Sequence, residues 1–322
     1  MSSQDLLKKK LVVLTGPTAV GKTELSIRLA KRTGGEIISA DSVQVYRGMD
    51  IGSAKITPEE MQSVPHHMID VLDPDEPFDA AAFQRMAKQT MEGIWKRGRL
   101  PILVGGTGFY IQGLVYDIDF TANDGDLTLR RSLEEIAGEP GGPSRLHRML
   151  EECDPDSAGR IHENNVKRTI RAIEFFRQTG QTMSMHNREE RARSSPYNFV
   201  CFVLTDDRQI VYDRIDRRVD RMIEQGLVDE VRSLRDRGVR RGMTSMQALG
   251  YKEILDYLDG VIPLDEAVAR IKRGTRHFAK RQITWFKREK EVTWISKADF
   301  CRDDDRILTA MLDILREHHI LE

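Results

Sequence analysis

The chain has 322 residues, a formal net charge of −1 and an ordinary composition, 39% hydrophobic and 31% charged; this length buries a full core in one elaborated domain or two. Its cysteines, Cys153, Cys201 and Cys301, stand far apart, which signals neither a disulfide framework nor a zinc site. No apolar run approaches the ~20 residues of a membrane span, and "MSSQDLLKKK" lacks the apolar stretch of a secretory signal, so the expectation is a reduced, cytoplasmic protein off the membrane, with nothing that demands more than a monomer.

In chain order, "KLVVLTG" (residues 10–16) is the first expected strand, followed by the form G-x-x-x-x-G-K-T and a helix through "KTELSIRLAKR". "GEIISAD" (35–41) and "LPILVGG" (100–106) are further buried strands. Between them "DAAAFQRMAKQTMEGIWKRG" predicts a helix with Asp79 as N-cap and Gly98 as stop. Short Val/Ile/Leu runs bounded by glycine and followed by helical patterns imply a parallel α/β sheet covered on both faces. Strand signals then vanish. Residues 118–198 hold "DLTLRRSLEEIAG", "SRLHRMLEEC" and "NNVKRTIRAIEFFRQTG" between turn-rich linkers, which predicts a helical insertion. "FVCFVLTD" (199–206) resumes the sheet, and one long arginine-studded helix is expected over residues 207–238, with Val211, Ile215, Val219 and Met222 on its apolar face. Helices, a short strand "VTWIS" and a terminal helix close a core formed by residues 1–117 and 199–322.

In such sheets ligands bind beyond the carboxyl ends of the strands. The first strand ends in a P-loop, Gly16, Pro17, Thr18, Ala19, Val20 and Gly21, whose backbone amides and following helix N-terminus suit phosphate. Lys22 would set a point charge on the outer phosphate and Thr23 would ligate Mg2+. The second strand ends at Asp41, and three roles stay open for it: magnesium ligand, general base, or turn cap. The third ends in "GGTGFY", where Thr107 offers a hydroxyl between glycines.

Two basic regions stand out against the near-zero net charge. Residues 270–290 carry nine Lys and Arg against one Glu, with Lys272, Arg276 and Lys280 on one helical face and Ile271, Phe278 and Trp285 on another; Arg281 adds to the charge. The insertion adds Lys167, Arg168 and Arg171. Basic helices over aromatic undersides fit a phosphate backbone, so nucleic acid is the leading partner class. By contrast Arg214, Arg218 and Arg221 share a face with ready partners in Asp213, Asp216 and Asp220, and spacing alone favours a solvated, paired stripe.

Several strings together resemble the tRNA dimethylallyltransferase (tRNA isopentenyltransferase) family: "GPTAVGKT", "SADSVQVYRGMDIGSAK", "PHHMID", "VGGTGFYIQGL", "NNVKRTIRAIE", "QALGYKE" and "TRHFAKRQITWFK", in the family's order through most of the chain. The resemblance implies that the P-loop holds the diphosphate of dimethylallyl diphosphate and that a five-carbon group passes to N6 of the tRNA adenosine 3′-adjacent to the anticodon. It makes Asp41 the base, has Thr107 hold the amine or the diphosphate, and sets Arg221 with Lys22, Thr23 and Mg2+ on the departing pyrophosphate. It assigns Asp41, Ser42, Val43, Gln44, Thr107 and Arg130 to the tRNA side, in company with Lys167, Arg168, Arg171, Arg276, Lys280 and Arg281, and gives the insertion its contact with the anticodon stem-loop. A flipped target base is part of the same expectation.

Three departures accompany the match. Lys287 replaces a common Arg, "HENN" lacks a frequent proline, and the zinc-finger extension of eukaryotic relatives is absent. His66 and His67 match the family but read as structural. The competing functions are isopentenyl transfer to free adenine nucleotides, which needs neither the insertion nor the basic helix, and a P-loop kinase.

Overall fold

A computed structural model describes residues 8–120 and 127–322. The signal-free reading of Met1–Leu7 and the opening Asp126 of "DLTLRRSLEEIAG" fall outside those residues. Contacts divide the chain into two units, one reaching up to Val115 and resuming at Pro196–Glu322, the other spanning Tyr116–Ser195.

In the first unit, β1 (Lys9–Thr15), α1 (Lys22–Thr33), β2 (Glu36–Ala40), α2 (Pro58–Met61), β3 (His66–His67), α3 (Ala80–Lys96), β4 (Pro101–Gly105) and α4 (Gly108–Val115) precede the insertion. The second unit holds α5 (Leu127–Gly138), α6 (Gly142–Cys153), α7 (Pro155–Ala158), α8 (Val166–Thr179) and α9 (Met183–Ala192). The first then resumes with β5 (Tyr197–Thr205), α10 (Arg208–Glu224), α11 (Leu227–Asp236), α12 (Tyr251–Leu258), α13 (Leu264–Phe286), β6 (Thr293–Ser296) and α14 (Asp304–Glu317).

All six strands are parallel, in the order β3-β2-β4-β1-β5-β6. Leu11, Val12, Val13 and Leu14 of the central β1 are wholly buried, as a strand covered on both faces requires. Asp79 caps α3 by accepting from the Ala82 amide at 2.8 Å, and Phe83, Ala87, Met91 and Ile94 form its buried face. Each of the larger side chains contributes ~1.5–3 kcal/mol by leaving water. β3 is a two-residue edge strand that no apolar pattern announced. His67 Nε2 lies 2.7 Å from the Glu36 carboxylate, which also takes two hydrogen bonds from Arg97, so this histidine is structural.

The single helix expected over residues 207–238 is two. Gly226 adopts φ +100°, a left-handed conformation that ends α10 and serves as N-cap of α11. The apolar repeat continues across the break, which is why periodicity alone missed it. In the insertion Leu133, Leu146, Leu150, Ile170 and Ile173 form a separate core. The buried Asp154 accepts from Ser157 N, Ser157 Oγ and Ser184 N, fixing α7 and the start of α9. No helix among the described residues is long and apolar enough to cross a membrane.

Candidate active site

The order β2-β4-β1 brings three loops into a row at the carboxyl edge: the Asp41 turn, the Thr107 turn and the phosphate loop. Thr15 Oγ donates to Gly105 O at 2.8 Å and so ties the ends of β1 and β4 together. Gly16 sits against β5. A Cβ at that position would stand 2.2 Å from the Leu204 carbonyl oxygen, so no larger residue fits. Ala19 holds φ +63°, a left-handed conformation costing ~1–2 kcal/mol for a residue with a Cβ. The turns it makes possible gather successive amides into an anion-binding concavity.

Lys22 folds back over this loop, donating to the Gly16 and Pro17 carbonyls at 2.9 and 2.8 Å. Burial, followed by the charge of Arg218, pushes its ammonium down to about 7 against the opposing pull of Asp41. Arg218 approaches from α10, with Nη1 3.5 Å from Thr18 Oγ. Its own pKa is lowered, first by burial and then by Arg221. A cradle of amides, one ammonium and one guanidinium, with no carboxylate hydrogen-bonded to Lys22 or Arg218 among the described residues, suits an anion. Thr23 is exposed in the first turn of α1.

Asp41 Oδ1 accepts from the Val43 and Gln44 amides at 2.8 and 3.2 Å, so the capping role is real. The other oxygen, Oδ2, accepts no hydrogen bond from the described residues. A cap and a base can therefore coexist on the two oxygens of one carboxylate. Gln44 is satisfied internally: Ser39 Oγ lies 3.1 Å from its Oε1, and its Nε2 donates to Ser53 O and Ala54 O. Ser42 and Val43 are half-buried in the same turn. Thr107 immediately precedes α4, its carbonyl accepting from Tyr110 N and Ile111 N, while its hydroxyl has no hydrogen-bond partner among the described residues.

The basic residues part company. Arg276 donates to Asp216, Lys272 pairs with Asp220 at 2.6 Å, and Arg214 pairs with Asp206. Two of the three carboxylates expected to neutralise the α10 arginines, Asp216 and Asp220, thus serve α13, while Asp213 accepts from Gln209 within α10. Arg221, Lys280, Lys167 and Arg168 are exposed; Arg281 lies over the Phe278 ring at 5.7 Å. Arg171 is half-buried within α8. Arg130 makes a bidentate pair with buried Glu174 at 2.9 and 2.7 Å, which ties α5 to α8.

Two residues in this site carried no assigned role in the sequence. Arg218 was one of three on a stripe, and helical spacing gives a face without saying which member meets the loop. Gln282 is buried in α13, its Oε1 accepting from Thr18 N and its Nε2 donating to Gly106 O, both at 2.9 Å. A signal for it existed: Ile271, Ala279, Gln282 and Phe286 form the buried stripe of α13, and a lone amide on a core stripe implies buried polar partners.

Residues 44–289 match the family described as IPP transferase. That match begins beyond the phosphate loop and Asp41. The chain is 56% identical over 312 residues to a tRNA dimethylallyltransferase of Lachnoclostridium phytofermentans, covering 97% of this chain and 99% of the relative. It is 50% identical over 293 residues to one of Halalkalibacterium halodurans, covering 91% and 93%. Among solved structures, the tRNA isopentenylpyrophosphate transferase of Bacillus halodurans superposes with TM-score 0.72 at 47% identity, covering 97% of this chain and 98% of that one. A eukaryotic dimethylallyltransferase acting on tRNA superposes with TM-score 0.81 at 27% identity, covering 96% and 80%.

Proposed function

The chain belongs to the IPP transferase family of tRNA dimethylallyltransferases, and from that premise we propose how its residues carry a dimethylallyl group from dimethylallyl diphosphate to N6 of the adenosine 3′-adjacent to the anticodon. The observation that carries the reading is the row of strand ends. Adjacent strands lie ~4.8 Å apart, so the ends of β2 and β1, which lead into the Asp41 turn and the phosphate loop, stand about 10 Å apart with the end of β4, which leads to Thr107, between them. That spacing suits an amine, a five-carbon unit and a diphosphate in line.

The exocyclic amine is a poor nucleophile because its lone pair is delocalised into the ring. In the transfer, the N6–C1 bond forms as the C1–O bond breaks. The bonding pair leaves with pyrophosphate, and the N6 proton passes to Asp41 Oδ2. Thr107 Oγ holds the amine. The loop amides, Lys22 and Arg218 stabilise charge on the leaving group, with Arg221 adding its field from the neighbouring turn of α10. Thr23 fits Mg2+ as a hard oxygen donor. Bound there, the ion would be held on the protein side through the Thr23 hydroxyl in the first turn of α1. The ion supplies further neutralisation of the leaving charge.

Lys280 and Arg281 of α13 and Lys167, Arg168 and Arg171 of the insertion take tRNA phosphates, with Ser42, Val43 and Gln44 shaping the turn beside the flipped base. Arg130 and Arg276 support these surfaces through Glu174 and Asp216. One copy of the chain supplies every residue named, and the reaction belongs in the cytoplasm beside its tRNA.

The test is incubation with magnesium and radiolabelled dimethylallyl diphosphate, adding unmodified tRNA or AMP. Label in tRNA is expected. Label in AMP alone would transfer the assignment to the free-nucleotide enzymes, and label in neither would reopen a P-loop kinase.

A further inference from the structure

We infer that Gln282 is a positioning residue for the transfer, setting the gap between the phosphate loop and the Thr107 turn; the inference rests on the prenyl-transfer reading of those two loops. One primary amide spans both. Its oxygen takes the Thr18 N–H of the loop, and its nitrogen gives a proton to the carbonyl of Gly106, the residue before Thr107. The orientation is forced, since a flipped amide would face N–H with NH2 and carbonyl with oxygen. Thr18 N–H is thereby withdrawn from the anion cradle.

The glycines around Thr107 record the same packing. A Cβ on Gly106 would meet Gln282 Nε2 at 2.1 Å and Cδ at 3.2 Å; the next atom, Gly16 O, is an ordinary 3.5 Å away. A Cβ on Gly108 would meet Trp285 Cδ1 at 2.3 Å. Gln282 and Trp285 are three residues apart on one helical face, so α13 grips the Thr107 turn on both sides. Because reacting atoms must meet within a fraction of an ångström, a shift of one loop against the other falls on the chemical step.

The experiment compares wild type with Gln282→Ala, Gln282→Glu, Gly106→Ala and the Gln282→Ala/Gly106→Ala double variant. It reads kcat, KM for dimethylallyl diphosphate, tRNA Kd, thermal midpoint, and calorimetric affinity for magnesium pyrophosphate. Gln282→Ala is expected to lower kcat by about 10- to 100-fold, with tRNA Kd unchanged and pyrophosphate bound several-fold more weakly. Gln282→Glu keeps the size but sets oxygen against the Gly106 carbonyl, and is expected to do the same should the alanine variant not fold. Gly106→Ala is expected to match that loss alone yet add little in the double variant, because its only collision is with Gln282. Independent, multiplying losses, or wild-type kcat and pyrophosphate affinity in Gln282→Ala, would overturn the assignment. If wild type transferred nothing to tRNA, the functional reading would fail by itself, and the pyrophosphate titrations would still decide the role of Gln282.

Discussion

Arg276 of α13 holds the Asp216 carboxylate of α10, with Nη1 2.6 Å from Oδ1 and 2.7 Å from Oδ2. With the Lys272–Asp220 pair beside it, this contact stitches the two helices and neutralises two of the cations on the face proposed to take phosphates. Lys280 is exposed and its ammonium makes no ion pair among the described residues. Lys280→Ala should weaken tRNA binding and lower the slope of log K against log salt by ~0.7–0.9 for the lost phosphate contact. Arg276→Ala should leave the slope unchanged while lowering the thermal midpoint slightly. Filter-binding isotherms across salt concentrations decide it; a slope that moves for Arg276 and not for Lys280 would reverse the two roles.

In the proposed mechanism Asp41 caps its turn through Oδ1 and takes the proton on Oδ2. Asp41→Asn keeps an acceptor for the Val43 and Gln44 amides and loses only the basic oxygen. It should retain the thermal midpoint while turnover drops by roughly 10²- to 10⁴-fold. Asp41→Ala should also lose about 1 kcal/mol of turn stabilisation. Normal turnover in the asparagine variant, measured with saturating tRNA, would remove Asp41 as the base.

Arg218 and Arg221 are neighbours with different reach. Arg218→Ala should lower kcat by ~10²- to 10³-fold, as loss of a leaving-charge donor does. Arg221→Ala should have a smaller effect, since its side chain makes no hydrogen bond or ion pair among the described residues. Rapid-quench rates with tRNA order the two, and a greater loss at Arg221 would return the leading role to it.

Lys22 has its ammonium pushed down to about 7 by burial and by Arg218. A bound diphosphate favours the charged form and raises that value, so binding takes up a proton between the two. Affinity for magnesium pyrophosphate should therefore fall as pH rises through 7, by up to about tenfold per unit. Lys22→Arg stays charged and should lack this component. Parallel affinity curves for the two proteins between neutral and alkaline pH would contradict the assignment.

Arg130 serves the insertion's core. Arg130→Met leaves Glu174 buried without its bidentate partner and should destabilise the insertion by ~1–3 kcal/mol. Adding Glu174→Gln should recover part of that loss. Limited proteolysis of the insertion is the readout; equal tRNA affinity with faster cleavage marks a structural role, whereas unchanged cleavage with weaker tRNA binding marks a contact.

The strands were legible because each is a short apolar run closed by glycine or polar residues, and β1, β2, β4, β5 and β6 lie within two residues of those runs. The helical insertion was equally plain, since strand signals stop there and helical periodicity takes over. The β3 edge and the break at Gly226 were not. A two-residue strand has no period, and a glycine within an unbroken apolar repeat does not reveal its φ.

For the site, the sequence determined the inventory: a P-loop with Lys22 and Thr23, an acid at one strand end, a threonine between glycines at another, and a basic helix. Those are local patterns, and local chemistry dictates them. The tertiary structure alone decided the pairings. It turned Arg218 rather than Arg221 onto Thr18, gave Asp216 and Asp220 to α13, and ran the Gln282 amide from Thr18 to Gly106. Helical spacing fixes which side chains share a face, while the partner of that face lies up to 264 residues away and is set by how the helices pack on the sheet.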